Sequence, residues 1–251
     1  MLNPRDEMRM SLRQQLETDQ LLGVREVPIP QDVAAAIGRG APVVSGVSTA
    51  TSQEQQAHLQ ELDESQVTNC KKCQLCETRT RTVFGQGHAN ARLVFVGEAP
   101  GYEEDQQGLA FVGRAGQLLT KMILAMGLKR EDVFICNVLK CRPPNNRTPA
   151  ADEIASCSPY LFEQLQIIQP EIVCALGAPA AQTLLNTKEA IGRLRGRFHD
   201  FYTSGVPMVG DPVPLMPTYH PAYLLRSPGE KKKTWADLQM IMAKLGLSAS
   251  K

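Results

Sequence analysis

Four short, almost uninterrupted apolar runs constrain this chain more than any other feature: residues 92–97 (RLVFVG), 132–139 (DVFICNVL), 171–177 (EIVCALG) and 213–219 (VPLMPTY). They do not alternate apolar with polar residues, so they read as strands covered on both faces rather than half-exposed ones. Helical patterns at 114–127, 150–168, 178–187 and 230–245 lie between and after them. Strand, helix, strand in repetition predicts parallel crossovers. The expected fold class is therefore α/β: a single three-layer α/β/α domain around a central, mainly parallel four-stranded sheet. Such sheets bind ligands outside the carboxyl ends of their strands, which directs attention to the residues that follow each run.

The first run ends in Gly97-Glu98-Ala99-Pro100-Gly101, followed by Tyr102-Glu103-Glu104-Asp105 and then by Phe111-Val112-Gly113-Arg114-Ala115-Gly116. Glycine-rich turns before a helix can bring backbone N–H groups to an anion, but Walker and dinucleotide spacings are missing and Glu98 would repel a phosphate. By composition, Glu103, Glu104 and Asp105 read as a solvated acidic turn. The second run delivers Asn137, whose carboxamide offers both a donor and an acceptor to another amide. The last delivers His220, followed by a Pro-containing loop with Leu224, Leu225 and Arg226. Each could be structural alone; three polar groups at one sheet edge point to a site.

Seven cysteines suggest metal or buried thiols rather than a disulfide framework. Cys70-x-x-Cys73 and Cys73-x-x-Cys76 are both chelating pairs, and Cys141 and Cys157 could add two thiolates. Spacing leaves tetrahedral zinc and an iron-sulfur cluster equally open. Cys136 and Cys174 fall inside apolar strands and read as buried thiols.

The net charge of +1 conceals an asymmetry: residues 1–66 carry −5 and the remainder +6. Basic clusters at Lys140, Arg142 and Arg147, at Arg193, Arg195 and Arg197, and at Lys231, Lys232 and Lys233 suit a polyanion. The acidic extension, 1–66, has an amphipathic stretch at 6–22, a turn-rich linker at 38–53 and a polar helix over about 53–66. The globular domain proper is expected over 67–251. No apolar run is long enough for a membrane span and no signal core is visible, so a cytoplasmic, monomeric protein is expected. The extension could tether a replication or repair protein.

Residues 69–245 resemble the iron-sulfur family of uracil-DNA glycosylases, often called family 4. The matching stretches are Asn69-Cys70-x-x-Cys73, Arg79-Thr80-Arg81 with Val83-Phe84-Gly85, Gly97 to Gly101, Phe111 to Leu119, Asn137 to Pro144 with Asn146-Arg147-Thr148-Pro149, and His220 to Arg226. The resemblance implies the fold of that family, a 4Fe-4S cluster on Cys70, Cys73, Cys141 and Cys157, and uracil-containing DNA, single- or double-stranded, as substrate. It implies Glu98 and His220 as catalytic residues, and Ala99, Glu104, Phe111 and Asn137 around the uracil. In that scheme Phe111 stacks on the base, Asn137 pairs with its O4 and N3–H, and Glu104 crowds C5 against thymine's methyl. Leu224 or Leu225 would fill the vacated stack while Arg226 holds a phosphate. Ala110 stands where the family commonly has Pro. Two rival readings differ in kind: a sister glycosylase with wider range (hypoxanthine, ethenocytosine), against which Glu98 argues, and a non-catalytic zinc-bearing nucleic-acid-binding module.

Overall fold

A computed structural model describes residues 51–205 and 210–247; the stretch at 6–22 and nearly all of the linker fall outside them. All four expected strands form: β2 (Leu93–Gly97), β3 (Phe134–Asn137), β4 (Ile172–Leu176) and β6 (Val213–Thr218). Two short strands join them, β1 (Gln86–Gly87) and β5 (His199–Phe201). The sheet thus has six strands, in the order β1-β3-β2-β4-β6-β5, instead of four. The central four are parallel, and the two additions pair antiparallel at the edges.

Side chains alternate between the two faces of each strand, and both faces are dry. Val94, Val96, Cys136, Val173, Ala175 and Leu215 belong to one core, packed with Leu161, Leu165, Ala180 and Leu184. Leu93, Phe95, Ile135, Ile172, Cys174 and Met216 belong to the other, with Leu119, Ile123, Leu238 and Ile241. The covering residues come from helices at Ala151–Ile168 and Ala178–Leu185 on one side, and at Arg114–Ala125 and Lys231–Leu245 on the other. This is the three-layer arrangement that the continuous apolar runs require. Each fully buried Val, Leu or Ile contributes about 1.5–3 kcal/mol through lost apolar hydration.

The packed unit begins at Ala50, earlier than the boundary expected at 66–67. The reason lies in the helix Ser52–Leu62, which Thr51 and Glu54 start with a capping box. It buries Leu59 and Leu62 in the core. Gln55 Nε2 donates to the carbonyl oxygens of Ile167 (2.9 Å) and Ile168 (3.3 Å), which lie at the end of the helix Ala151–Ile168. A polar sequence here conceals a narrow apolar stripe.

Candidate active site

The register of the parallel strands sets the site. Gly97 pairs with Asn137, and Leu176 pairs with Thr218, so Glu98, Asn137 and His220 leave the same edge of the sheet. The ladder continues past the strand ends, because Val138 N–H donates to Gly97 O at 3.0 Å and Leu139 N–H to Glu98 O at 3.1 Å. Glu98, Ala99, Pro100, Gly101, Glu104, Phe111, Asn137 and His220 line one cavity of about 240 Å³, whose remaining wall includes Pro143, Asn146 and Arg147. That volume is below the roughly 300–1,000 Å³ of pockets for drug-sized ligands and suits a single base. A larger, shallower groove of about 740 Å³ near Gln53, Gln86 and Arg130 contains none of the expected residues.

Asn137 is buried, and its Oδ1 has no hydrogen-bond partner among the described residues. A buried carbonyl oxygen left unpaired costs about 1–3 kcal/mol, so its presence at a cavity wall marks an acceptor held for a ligand. Gly97 makes room for it. A Cβ at Gly97 would collide with Asn137 Oδ1 and stand 2.5 Å from Phe111 Cζ.

Phe111 adopts φ 53°, a left-handed conformation that costs a bulky residue about 1–3 kcal/mol. Its surroundings enforce that conformation. A Cβ at Gly116 would strike the Phe111 carbonyl, while Arg130 and Gln86 both donate to the carbonyl oxygen of Ala110. The Phe111 ring lies 5.7 Å from the His220 ring, tilted by 36°.

Glu104 is not part of a solvated acidic turn. Its Oε1 accepts from the N–H groups of Val112 (2.9 Å) and Gly113 (2.8 Å), and its Oε2 from that of Gly101 (3.2 Å). One carboxylate therefore holds the turn after β2 to the Phe111 loop. Asp105 is buried and accepts from the N–H groups of Thr80 (2.9 Å) and Arg81 (3.4 Å), which fastens the Arg79-Thr80-Arg81 segment. Only Glu103 of the three is exposed.

His220 caps the helix Pro221–Arg226: its Nδ1 accepts the N–H of Ala222 at 3.1 Å. Gly177, at φ 92°, lets the two segments approach, since a Cβ there would lie 3.0 Å from His220 Cβ. Burial pushes the imidazole pKa down to about 4, with Arg226 acting in the same direction. The ring is neutral at pH 7. Burial also raises the pKa of Glu98 above the usual carboxylate range. Leu224 is buried and Leu225 is 38% exposed, so of the two leucines only Leu225 faces outward, beside exposed Arg226.

The basic clusters resolve unevenly. Lys140 is buried, and its Nζ donates to Asn137 O (2.9 Å) and Gln164 Oε1 (2.5 Å). Arg147 pairs with Glu153, and Arg195 with buried Asp237, which also accepts from the Thr218 hydroxyl. Lys140 and Arg195 are thereby tied into the fold, whereas Arg147 is paired but exposed in the cavity wall. Arg142 keeps a free edge, and Arg193, Arg197, Lys231 and Lys232 are exposed.

Cys70, Cys73, Cys141 and Cys157 line a second cavity together with Lys72, Arg79, Lys140 and Tyr160. Cys76 is half-buried and stands outside that lining. Three of the four sulfurs receive a hydrogen bond at 3.2 Å: Cys70 from Tyr160 Oη, Cys141 from Arg79, and Cys157 from the Lys140 N–H. Burial pushes the Cys141 thiol up to about 11 and raises Cys73 and Cys157 as well, so thiolates here require a cationic partner. Among the described residues no group of His, Cys, Asp and Glu converges closely enough to hold a single metal ion. Cys136 and Cys174 are buried in their strands. No helix among the described residues is long and apolar enough to cross a membrane.

The carboxyl edge of the parallel sheet thus gathers a partly desolvated carboxylate, a carboxamide with an unpaired oxygen and a neutral imidazole. A family model described as the Uracil DNA glycosylase superfamily matches residues 84–239. The chain belongs to that superfamily and, within it, to the type-4 uracil-DNA glycosylases. It is 46% identical over 170 residues to the Type-4 uracil-DNA glycosylase of Thermotoga maritima, an alignment covering 67% of this chain and 84% of the relative. The Type-4 uracil-DNA glycosylase of Archaeoglobus fulgidus is 43% identical (70% and 88% covered), and that of Saccharolobus solfataricus 44% (70% and 82% covered).

Proposed function

We infer that this chain removes uracil from DNA by hydrolysing the N-glycosidic bond of an extruded deoxyuridine, the first step of base excision repair. The observation that carries this reading is the buried Asn137, its Oδ1 unpaired, in the lining of a base-sized cavity that Phe111 and His220 also line. Uracil presents N3–H to that oxygen and O4 to the carboxamide nitrogen, while its face lies on Phe111. A base inside a duplex cannot reach such a cavity and must leave its stack at a cost of a few kcal/mol. Leu225 is positioned to fill the gap, with Arg226 beside it for a phosphate.

Bond cleavage leaves positive charge on the sugar and negative charge on uracil. Since His220 Nδ1 is taken by Ala222 N–H, its proton sits on Nε2, where it donates to the oxygen that becomes anionic. A neutral donor stabilises the departing base without protonating it in the ground state. Glu98 lacks full solvation, as its raised pKa reflects, and an under-solvated carboxylate interacts strongly with a cation developing next to it. The same group orients the attacking water. Glu104 acts at a remove from the chemistry: with its oxygens bound to three N–H groups it fixes the wall on which thymine's methyl would press.

The thiols of Cys70, Cys73, Cys141 and Cys157 fit a 4Fe-4S cluster: four sulfurs surround one cavity, three already accept hydrogen bonds, and three cationic side chains share the lining. Such a cluster supplies a covalent cross-link among the segments carrying residues 70–73, 141 and 157. Arg79 and Lys72, with the Lys140 backbone N–H on Cys157, would offset its negative charge.

Release of free uracil from oligonucleotides carrying uracil in single strands, opposite G and opposite A, with hypoxanthine as comparison, tests the reading. Uracil release in all three contexts and intact hypoxanthine DNA are expected. Absence of any base release would overturn it.

A further inference from the structure

Tyr102 is the most exposed large apolar-bodied side chain among the described residues, at 55%, and it directly follows Gly101 in the cavity wall. Its ring is not isolated. The guanidinium of Arg142 lies 5.1 Å from the ring centroid, and Arg142 directly precedes Pro143, another wall residue. Because β2 and β3 are adjacent, the loops carrying the two residues leave the same sheet edge side by side. Arg142 is further steadied through Nε, which donates to Asn146 Oδ1 at 2.7 Å. Among the described residues no partner takes its terminal N–H groups. The rim of the uracil cavity thus presents an exposed aromatic ring, a guanidinium against it and unused donors.

We propose that Tyr102 and Arg142 form a subsite for the nucleotide next to the extruded deoxyuridine, its base stacking on Tyr102 and its phosphate taking the free N–H groups of Arg142. Aromatic rings beside cationic donors bind unpaired bases with little regard to sequence, since every base offers a π face. In a duplex the neighbouring base remains stacked on its own helix and paired, so it cannot turn onto Tyr102 without a second unstacking. The subsite therefore favours single-stranded substrate, a preference the uracil cavity alone does not create. This proposal rests on the glycosylase reading above.

The test is equilibrium binding of the full chain to single-stranded oligonucleotides containing one 2′-fluoro-deoxyuridine, whose fluorine disfavours the cationic sugar and blocks cleavage. The nucleotide on one side or the other of the uridine is replaced by an abasic spacer. Wild type is expected to lose about tenfold in affinity when the spacer stands on one particular side, the scale of one base–aromatic stack. Tyr102→Ala is expected to bind the intact strand about tenfold more weakly and to lose less than twofold on adding the spacer, whereas Tyr102→Trp behaves as wild type. Inhibition by free uracil is expected to be the same in wild type and Tyr102→Ala, which shows an intact cavity. Equal spacer losses in wild type and Tyr102→Ala, or no spacer loss in wild type, would overturn the subsite. Failure of wild type to prefer the uridine probe over a thymidine control would instead sink the glycosylase reading.

Discussion

The Nδ1 of His220 accepts the backbone N–H of Ala222 at 3.1 Å, which fixes the ring's proton on Nε2 and makes the imidazole a neutral donor into the cavity. With its pKa near 4, His220 does not change charge around pH 6.5. Glu98, raised by burial from its ordinary value, and His220, near 4, both gain a proton on the acidic side of the rate profile. Single-turnover excision is expected to fall as pH drops through the raised Glu98 pKa, because protonation removes the anion proposed to stabilise the sugar. Glu98→Gln is expected to lower the rate by about 10²–10⁴ and to remove the Glu98 contribution to the acidic limb; His220→Ala is expected to lower the rate by about 10²–10³ and to keep that contribution. A wild-type rate in either variant would remove that residue from the mechanism.

The same histidine ties stability to pH. Its pKa is about 4 when folded and about 6.5 when unfolded, so between these values the unfolded chain binds more protons. The stabilising contribution of its neutral form is complete above pH 6.5 and is lost as pH falls towards 4. Denaturant midpoints measured across that window are expected to decline less steeply in His220→Asn than in wild type.

Gly97 leaves room for two residues of the cavity wall, Asn137 and Phe111. Gly97→Ala places a methyl group against Asn137 Oδ1 and the Phe111 ring, so free uracil is expected to bind at least tenfold more weakly. Inhibition by uracil reads this directly. An unchanged inhibition constant would show that the base lies elsewhere.

Glu104 holds three N–H groups with two oxygens. Glu104→Gln retains one acceptor and removes the charge, and hydrogen bonds to charged groups contribute about 1.5–3 kcal/mol each. The expected result is a lower melting temperature and slower excision, with hydrogen exchange at Val112 and Gly113 accelerated ahead of the core.

Serine at Cys70, Cys73, Cys141 or Cys157 is expected to remove the broad visible absorption that an iron-sulfur cluster gives and zinc does not, and to lower stability. Cys76→Ser is expected to keep both. Loss of colour in the Cys76 variant would replace one member of the ligand set.

The central strands were legible because burial on both faces leaves nothing but apolar residues to read. The edge strands were not: Gln86–Gly87 and His199–Phe201 are two and three residues long and include polar side chains, so no period can develop. The convergence of Glu98, Asn137 and His220 followed from strand order and the rule for sheet ends. The bracing role of Glu104 and Asp105 was hidden because an acidic run looks the same whether it meets water or backbone N–H groups. Lys140 looked like a surface charge for a similar reason: what buries it is Gln164, which is distant in sequence. Leu224 and Leu225 are adjacent, and only the rotation of a six-residue helix decides which one is inside.

The parallel register has a consequence for the chain as it is made. Glu98 leaves the ribosome early and His220 late, and the strand carrying His220 adds to the sheet through β4, itself bordered by β2. Pairings between segments so far apart form slowly and late. A chain that stops short of β6 lacks an inner strand of the sheet, the core residues Met216, Leu238 and Ile241 that share a cluster with Phe111, and the proposed donor His220. Excision is therefore expected only once the last inner strand has joined, whatever part of the sheet has formed before it.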